Sequence, residues 1–163
     1  MNGDPQLYSF FKENDIEFEY YEHPPAPTIE IASKYWEDLK ATHCKNLFFR
    51  NHKGNRHYLV LLEHTQALDI RSLEQKLKQG KLSFASPKRM KKYLGVEPGS
   101  VTPFGLIHDN DTHVHVFLDE NLKNSEKISF HPNVNTASIV IKYSDFIKFL
   151  STLGNSYEYV SLY

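Results

Sequence analysis

KNLFFRN-HKGN-RHYLVLLEH, Lys45 to His64, reads as two apolar runs on either side of four turn-forming residues. Gly54 supplies the turn, and the flanking runs supply the strands of a β-hairpin. Leu47–Phe49 and Leu59–Leu62 are continuous rather than alternating, which predicts strands covered on both faces. Such strands belong in the middle of a sheet, so helices must pack above and below them. Lys45 and Asn46 stand at the entrance of the first strand, beside Cys44, the only cysteine. A lysine there either reaches water at a strand edge or is delivered into a pocket.

On the N-terminal side, Leu7, Phe10 and Phe11 recur at helical spacing in residues 5–14, behind Asp4 as a cap. EFEYYEH (17–23) alternates as a strand, and HPPAPT (23–28) cannot continue a ladder. Thr28 is placed as the N-cap of a short helix through Trp36. After the hairpin, Asp69 caps a helix through Lys78, and KLSFAS (81–86) gives a short strand. Ser86 and Pro87 take the Ncap and N1 positions of a basic helix closed by Gly95. GVEPGSVTPFGLI (95–107), with three glycines and two prolines, is a loop of unusual backbone demands leading into a strand. THVHVFLDE, KISFHPN, ASIVIKY and YEYVSL are further strands, and YSDFIKFLSTLG is a helix ended by Gly154. The expectation is one α+β domain spanning residues 1–163, with a mixed, mostly antiparallel central sheet flanked by helices.

Composition narrows the function classes. The chain has 163 residues, 24% charged and 40% apolar, an ordinary globular balance. No apolar run reaches the ~18 residues needed to span a bilayer, and no secretory signal is visible, so a cytoplasmic protein is expected. A single cysteine excludes an internal disulfide and any multi-cysteine zinc site. The net charge of −1 gives no global attraction to nucleic acid. Locally, however, Lys76, Lys78, Lys81, Lys88, Arg89, Lys91 and Lys92 lie between Gln75 and Val96 without one acidic residue. That block is either the solvated face of two helices or a contact for a few phosphates.

No P-loop, GxGxxG or GxSxG is present, which weighs against nucleotide-dependent transfer and serine hydrolysis. Cys44 would need a thiolate to act as a nucleophile, yet its neighbours His43 and Lys45 point to opposite strand faces. A small buried hydrophobe is the simpler role. His113 and His115 form an HxH pair, but nine histidines produce such a pair by chance, and no metal or cofactor is expected. Lys45 offers an ammonium, and Asn46 an amide fork, if the strand bulges enough to turn both inward. The glycine-rich segment Gly99–Gly105 can direct several N–H groups at an anion or a developing oxyanion. His131 sits where a strand ends, either as a structural hydrogen-bonding group or as a functional one.

Several segments together carry a closer likeness. THCKNLFFR, LSFASPKRMKKYLGVEPGSVTPFGLI, VFLDENL, ISFHPNVNTAS and SDFIKFLSTLG resemble the YbaK/ProX group of aminoacyl-tRNA deacylases. These are free-standing prolyl-tRNA editing proteins related to an insertion domain of bacterial prolyl-tRNA synthetases. The likeness runs from about residue 5 to the C-terminus, and GSVTP matches the group's GxxxP motif. It is greatest to the branch that acts on mischarged Ala-tRNA(Pro).

The resemblance implies a cleft with catalytic roles for Lys45, Asn46, Gly99, Gly105 and His131. It implies substrate contacts from Thr28, Ser100, Val101, Thr102, Pro103 and Phe104. It also implies tRNA contacts from Lys81, Lys88, Arg89, Lys91 and Lys92, no metal, and prolyl-tRNA synthetase as a possible partner. Water would attack the ester, with the ribose hydroxyl orienting it and the glycine-rich loop holding the oxyanion. Two departures bear on the pocket. Cys44 stands where relatives often have threonine, and HPPAPTIEI carries Pro27 and Ile31 where relatives often read HPPVFTVEE. The alternatives are the same chemistry on Cys-tRNA(Pro) or Ser-tRNA, and a non-catalytic adaptor that binds tRNA or a synthetase.

Overall fold

The computed structural model of the chain describes residues 1–26, 28–36 and 39–163. In chain order the elements are α1 (Pro5–Glu13), β1 (Glu19–Glu22), α2 (Ile29–Trp36), β2 (Thr42–Arg50) and β3 (His57–Glu63). Then come α3 (Ile70–Leu77), β4 (Ser83–Phe84), α4 (Pro87–Leu94), β5 (His115–Asp119) and β6 (Lys127–Phe130). The last three are β7 (Ala137–Lys142), α5 (Tyr143–Leu153) and β8 (Tyr157–Val160). The strands form one mixed sheet in the order β1-β7-β6-β2-β3-β5-β8, with β4 paired to β2. The β1–β7, β7–β6, β2–β3 and β2–β4 pairs are antiparallel, whereas β2–β6, β3–β5 and β5–β8 are parallel.

The hairpin forms as its sequence demands. Gly54 takes φ +74° in the turn, and the register runs without interruption from Cys44 opposite Glu63 to Arg50 opposite His57. Residues His57–Leu62 are all buried, as expected of a central strand. Leu59 and Leu61 face the larger core with Leu7, Phe11, Phe104, Phe146 and Phe149. Tyr58, Val60 and Leu62 face a second core built with Phe49, Leu73 and Leu82.

The helix ends follow their caps. Asp4 accepts from the Gln6 N–H at 3.0 Å, and Ser86 accepts from the Arg89 N–H at 3.3 Å. Gly95 closes α4 at φ +65°, a conformation that costs glycine nothing. Two features differ from expectation. The glycine- and proline-rich segment is not all loop, because Pro103–His108 forms a buried 3-10 turn. Phe104 within it meets Phe11, Phe130 and Phe149 edge-on at 5.3, 5.5 and 5.3 Å. The strand expected over 81–86 shrinks to two residues, since β4 pairs only with Phe49 and Arg50 at the end of β2.

One position fixes how that turn packs. A Cβ on Gly105 would lie 2.5 Å from the Leu94 carbonyl oxygen and 2.9 Å from Leu94 Cβ. Backbone at that distance cannot yield without moving the end of α4. Gly105→Ala is therefore expected to destabilise the fold by on the order of 1–3 kcal/mol, read as a lower denaturation midpoint with an unchanged m-value.

Candidate active site

The site begins with a break in the sheet. β2 and β6 run parallel for only two pairs, Thr42 with Ile128 and His43 with Ser129. β4 reaches the same edge of β2 only at Phe49 and Arg50. Between these junctions no described strand pairs with residues 44–48 on that edge. A cavity of about 160 Å³ occupies the opening. Cys44 and Asn46 line it from β2, Ser129, Phe130 and His131 from the end of β6, and Ser138 from β7. Gly99 and Val101 close it from the loop, and Ala26, Thr28, Ile29, Ala32 and Trp36 from α2 and the segment before it.

Two hydrogen bonds hold the loop across the gap. Asn46 Nδ2 donates to the Val101 carbonyl at 3.1 Å, and the Thr102 hydroxyl donates to the His131 carbonyl at 2.9 Å. Gly99 sits at φ +86°, where L side chains are strained. Gly99 and Val101 line the cavity, and their N–H groups have no partner among the described residues. The Thr102 N–H also has no partner among the described residues, whereas three other N–H groups of the segment are engaged. Ser100 donates to Glu97 O at 3.1 Å, Phe104 to Thr102 Oγ1 at 3.3 Å, and Gly105 to Thr102 O at 3.1 Å.

His131 Nδ1 lies 2.8 Å from the Ala137 carbonyl. A carbonyl only accepts, so Nδ1 carries the proton and Nε2 is left as an acceptor. Burial lowers the pKa of this imidazole, and nearby His23 lowers it further, against the raising effect of the Ala137 bond. His131 is therefore a neutral base or hydrogen-bond acceptor at pH 7. His23 is itself fixed: Nδ1 donates to Pro24 O at 2.9 Å, and Nε2 accepts from the Ser138 hydroxyl at 3.0 Å. Cys44 is buried, and burial pushes its thiol far above the usual cysteine range, so it is packing and not a thiolate.

Three buried polar atoms of the lining, Trp36 Nε1, Asn46 Oδ1 and Ser129 Oγ, have no hydrogen-bond partner among the described residues. Buried polar groups are almost always satisfied, and three around one small opening mark a place built for a polar ligand. Among the described residues, no carboxylate, lysine or arginine lines the cavity.

The structure brings together Asn46, Gly99, Val101, His131 and Thr28, and it separates others from them. Lys45 is half-buried and absent from the lining. The uninterrupted β2–β3 register leaves no bulge, so alternation puts Lys45 on the face of Leu47 and Phe49. Gly105 does not reach the cavity; its N–H is engaged and its missing side chain makes room for Leu94. Pro103 and Phe104 are buried core residues rather than substrate contacts, and buried Ser100 and Thr102 shape the loop from behind. In the basic block, Lys81, Lys88, Lys91 and Lys92 are exposed. Arg89 is committed to the fold, donating to Gly54 O at 2.8 Å and His57 Nε2 at 2.9 Å. His113 and His115 also part: His113 Nε2 meets His57 Nδ1 at 2.9 Å, whereas His115 meets Ser156 and Glu158. Pro27 lies outside the described residues. Ile31 packs one step behind the wall, whereas Ile29 forms it.

Sequence reasoning missed Ala26, Ile29, Ala32, Trp36, Ser129 and Ser138. The amphipathic α2 pattern signalled a buried face but not what it covers, and Ser129 and Ser138 look like ordinary strand positions.

The α+β sheet thus opens onto a small cavity with a pinned glycine loop at its rim, an arrangement able to hold a small polar group. The family model of the aminoacyl-tRNA editing domain matches residues 23–149. The prolyl-tRNA editing protein ProX of Acetoanaerobium sticklandii is 38% identical over 162 residues, 99% of each chain. Prolyl-tRNA synthetase associated domain-containing protein 1 of Mus musculus is 33% identical over 86% of this chain and 85% of its own. A crystal structure assigned to a candidate trans-editing enzyme for prolyl-tRNA synthetase superposes with a TM-score of 0.69 at 21% identity, covering 99% of this chain and 98% of that one. The chain belongs to the aminoacyl-tRNA editing domain family and is an aminoacyl-tRNA deacylase.

Two measurements check this geometry. Asn46→Ala removes the bond to Val101, and amide hydrogen exchange at residues 99–102 is expected to accelerate, with about 1 kcal/mol lost from global stability. Acid is expected to destabilise the fold through its buried histidines. Burial lowers His43 and His57 from 6.5 to about 4. The unfolded chain therefore takes up protons first as pH falls below 6.5, and stability present above that value is lost towards about pH 4. His43→Phe, which keeps an aromatic ring against Trp36, should lose less stability between pH 7 and pH 5, measured by denaturant titration.

Proposed function

We propose that the chain acts in trans on tRNA(Pro) mischarged with alanine, hydrolysing the ester that joins the amino acid to the terminal ribose. The observation that carries this reading is the small cavity lined by unpartnered polar side-chain atoms and by Gly99 and Val101, whose N–H groups have no partner among the described residues. Its volume resembles a ~150 Å³ cavity that holds one benzene, so it admits an amino-acid side chain but not a nucleobase with its ribose. The names of the ProX relative and of the superposed structure support prolyl-tRNA as the target class.

In this reading the aminoacyl group enters the cavity between Ile29, Trp36 and Phe130. Asn46 Oδ1 and Ser129 Oγ accept from its ammonium group. The ester carbonyl faces the N–H groups of Gly99 and Val101, which stabilise the oxyanion as water adds. Pre-formed donors of this kind contribute ~10²–10³ in rate each in other hydrolases. Among the described residues the lining holds no thiolate or charged base, and in this reading neutral groups orient the attacking water. His131 Nε2 and the ribose hydroxyl beside the ester fill that role. Lys45, on the neighbouring face, holds the phosphate of the terminal nucleotide.

The biological logic is steric. A synthetase pocket shaped for proline gains only ~1–3 kcal/mol against a smaller side chain, too little for faithful charging. A second site that hydrolyses the alanyl ester and spares the prolyl one removes the error. A cavity of benzene size also holds a pyrrolidine ring, so in this reading the choice rests on the shape and polar partners of the walls rather than on volume. Prolyl-tRNA synthetase is the natural partner, in the cytoplasm. The test is a deacylation panel with Ala-, Ser-, Cys- and Pro-tRNA(Pro). Fastest turnover of the alanyl ester with no turnover of the prolyl ester is expected. Preference for the seryl or cysteinyl ester would redirect the specificity, and tight tRNA binding without turnover would make the chain an adaptor. Lys45→Ala should lower kcat/KM on Ala-tRNA(Pro) by about 10-fold or more, as expected for loss of one charge-assisted bond, and should weaken the salt dependence.

A further inference from the structure

Phe84 is 65% exposed, yet it belongs to the two-residue strand β4 at the end of the same β2 edge that opens into the cavity. Its ring stacks on buried Phe49 with centroids 4.7 Å apart and planes 24° from parallel. The inner face of the ring is thus held by the core, while the outer face is offered to solvent. An aromatic left this open contributes little to folding that a smaller residue would not.

The position of Phe84 relative to the cavity is set by β2. Phe84 stands on the face of Lys45, Leu47 and Phe49, because it stacks on Phe49. Trp36, which lines the cavity, stacks on His43 of the same face at 4.6 Å. Along this face the cavity end, Lys45 and Phe84 therefore follow one another. Asn46 and Phe49 point to opposite faces of β2 but are three residues apart along it, across the strand edge that is open beside the cavity. Their axial separation is about 10 Å at roughly 3.3 Å per residue. That distance is close to the rise of about three stacked nucleotides at ~3.4 Å each. The exposed charges nearest Phe84 in the chain, Lys81 and Lys88, are both positive, while the Glu74 carboxylate nearby is engaged by the Leu82 N–H at 2.7 Å. A partner that presents a flat π-face together with negative charge is a nucleic acid.

We propose that Phe84 is a stacking platform for an unpaired base of the tRNA 3′ end, one to three nucleotides before the esterified ribose. The inference rests on the deacylase reading of the cavity and adds to it the path by which the single strand leaves. Base–aromatic stacking tolerates any base, so Phe84 contributes affinity and direction rather than sequence choice. The flanking lysines hold the phosphates of the same nucleotides.

The test uses Phe84→Leu, which keeps an apolar contact with Phe49 but has no π-face, and Phe84→Trp, which keeps one. Binding of a single-stranded oligoribonucleotide ending in CCA is measured by fluorescence anisotropy, alongside steady-state deacylation of Ala-tRNA(Pro) and thermal melting. Phe84→Leu is expected to weaken oligonucleotide binding and to raise KM by about 10-fold, with kcat and melting temperature nearly unchanged. Phe84→Trp should restore both. Equal RNA binding and KM in Phe84→Leu and the parent protein would overturn the platform, as would a loss that Phe84→Trp fails to restore. Failure of the parent protein to hydrolyse any aminoacyl-tRNA would instead overturn the deacylase specificity, while the oligonucleotide comparison would still decide the role of Phe84.

Discussion

The parting of β2 from β6 after two residue pairs governs the site. A strand in the middle of a sheet normally has both edges hydrogen-bonded, and its backbone cannot be left bare in an apolar interior. Here residues 44–48 keep their β3 partners while the other edge opens. The molecule answers by laying the Gly99–Thr102 loop against the opening and tying it to both sides, through Asn46 on β2 and the His131 carbonyl at the end of β6. The cavity is what remains when that loop is in place.

This arrangement explains why neutral groups dominate the lining. The opening lies within the sheet, next to the aromatic core around Phe104, where an ion without a partner would be costly. Beside the apolar Ala26, Ile29, Ala32, Val101 and Phe130, the described side chains that reach it are an amide, hydroxyls, an indole, a protonated thiol and an imidazole kept neutral by burial. Positive charge is kept outside, on the face of β2 that carries Lys45 and in the exposed lysines around β4 and α4.

Much of the fold was legible because its signals are local. Gly54 in the hairpin, Asp4 and Ser86 as caps, Pro87 at N1 and Gly95 in the left-handed region each follow from the needs of one or two residues. The 3-10 turn at Pro103–His108 was not legible, because its stability comes from Phe104 and Leu106 entering the core rather than from propensity. The family resemblance was carried by Lys45-Asn46, Gly99–Pro103 and Phe130–Pro132, and the domain match confirms that membership. The roles of individual residues were less evenly legible. Gly105 belongs to the same motif as Gly99, yet one serves packing against Leu94 and the other the rim of the cavity.

By itself the sequence determined the hairpin and the helix ends, since each depends on residues close together in the chain, and it indicated the class of chemistry through the family resemblance of several separate segments. Tertiary structure alone decided which side chains share the cavity. Ala26, Asn46, Val101, Ser129 and Ser138 come from separate segments, and they meet only because two parallel strands diverge and a distant loop fills the space. It also decided the direction of Lys45. Strand alternation around an uninterrupted register sends its charge to the outer face while Asn46 turns inward. No pattern of residue types records that choice, because it depends on which edge of the strand was left unpaired.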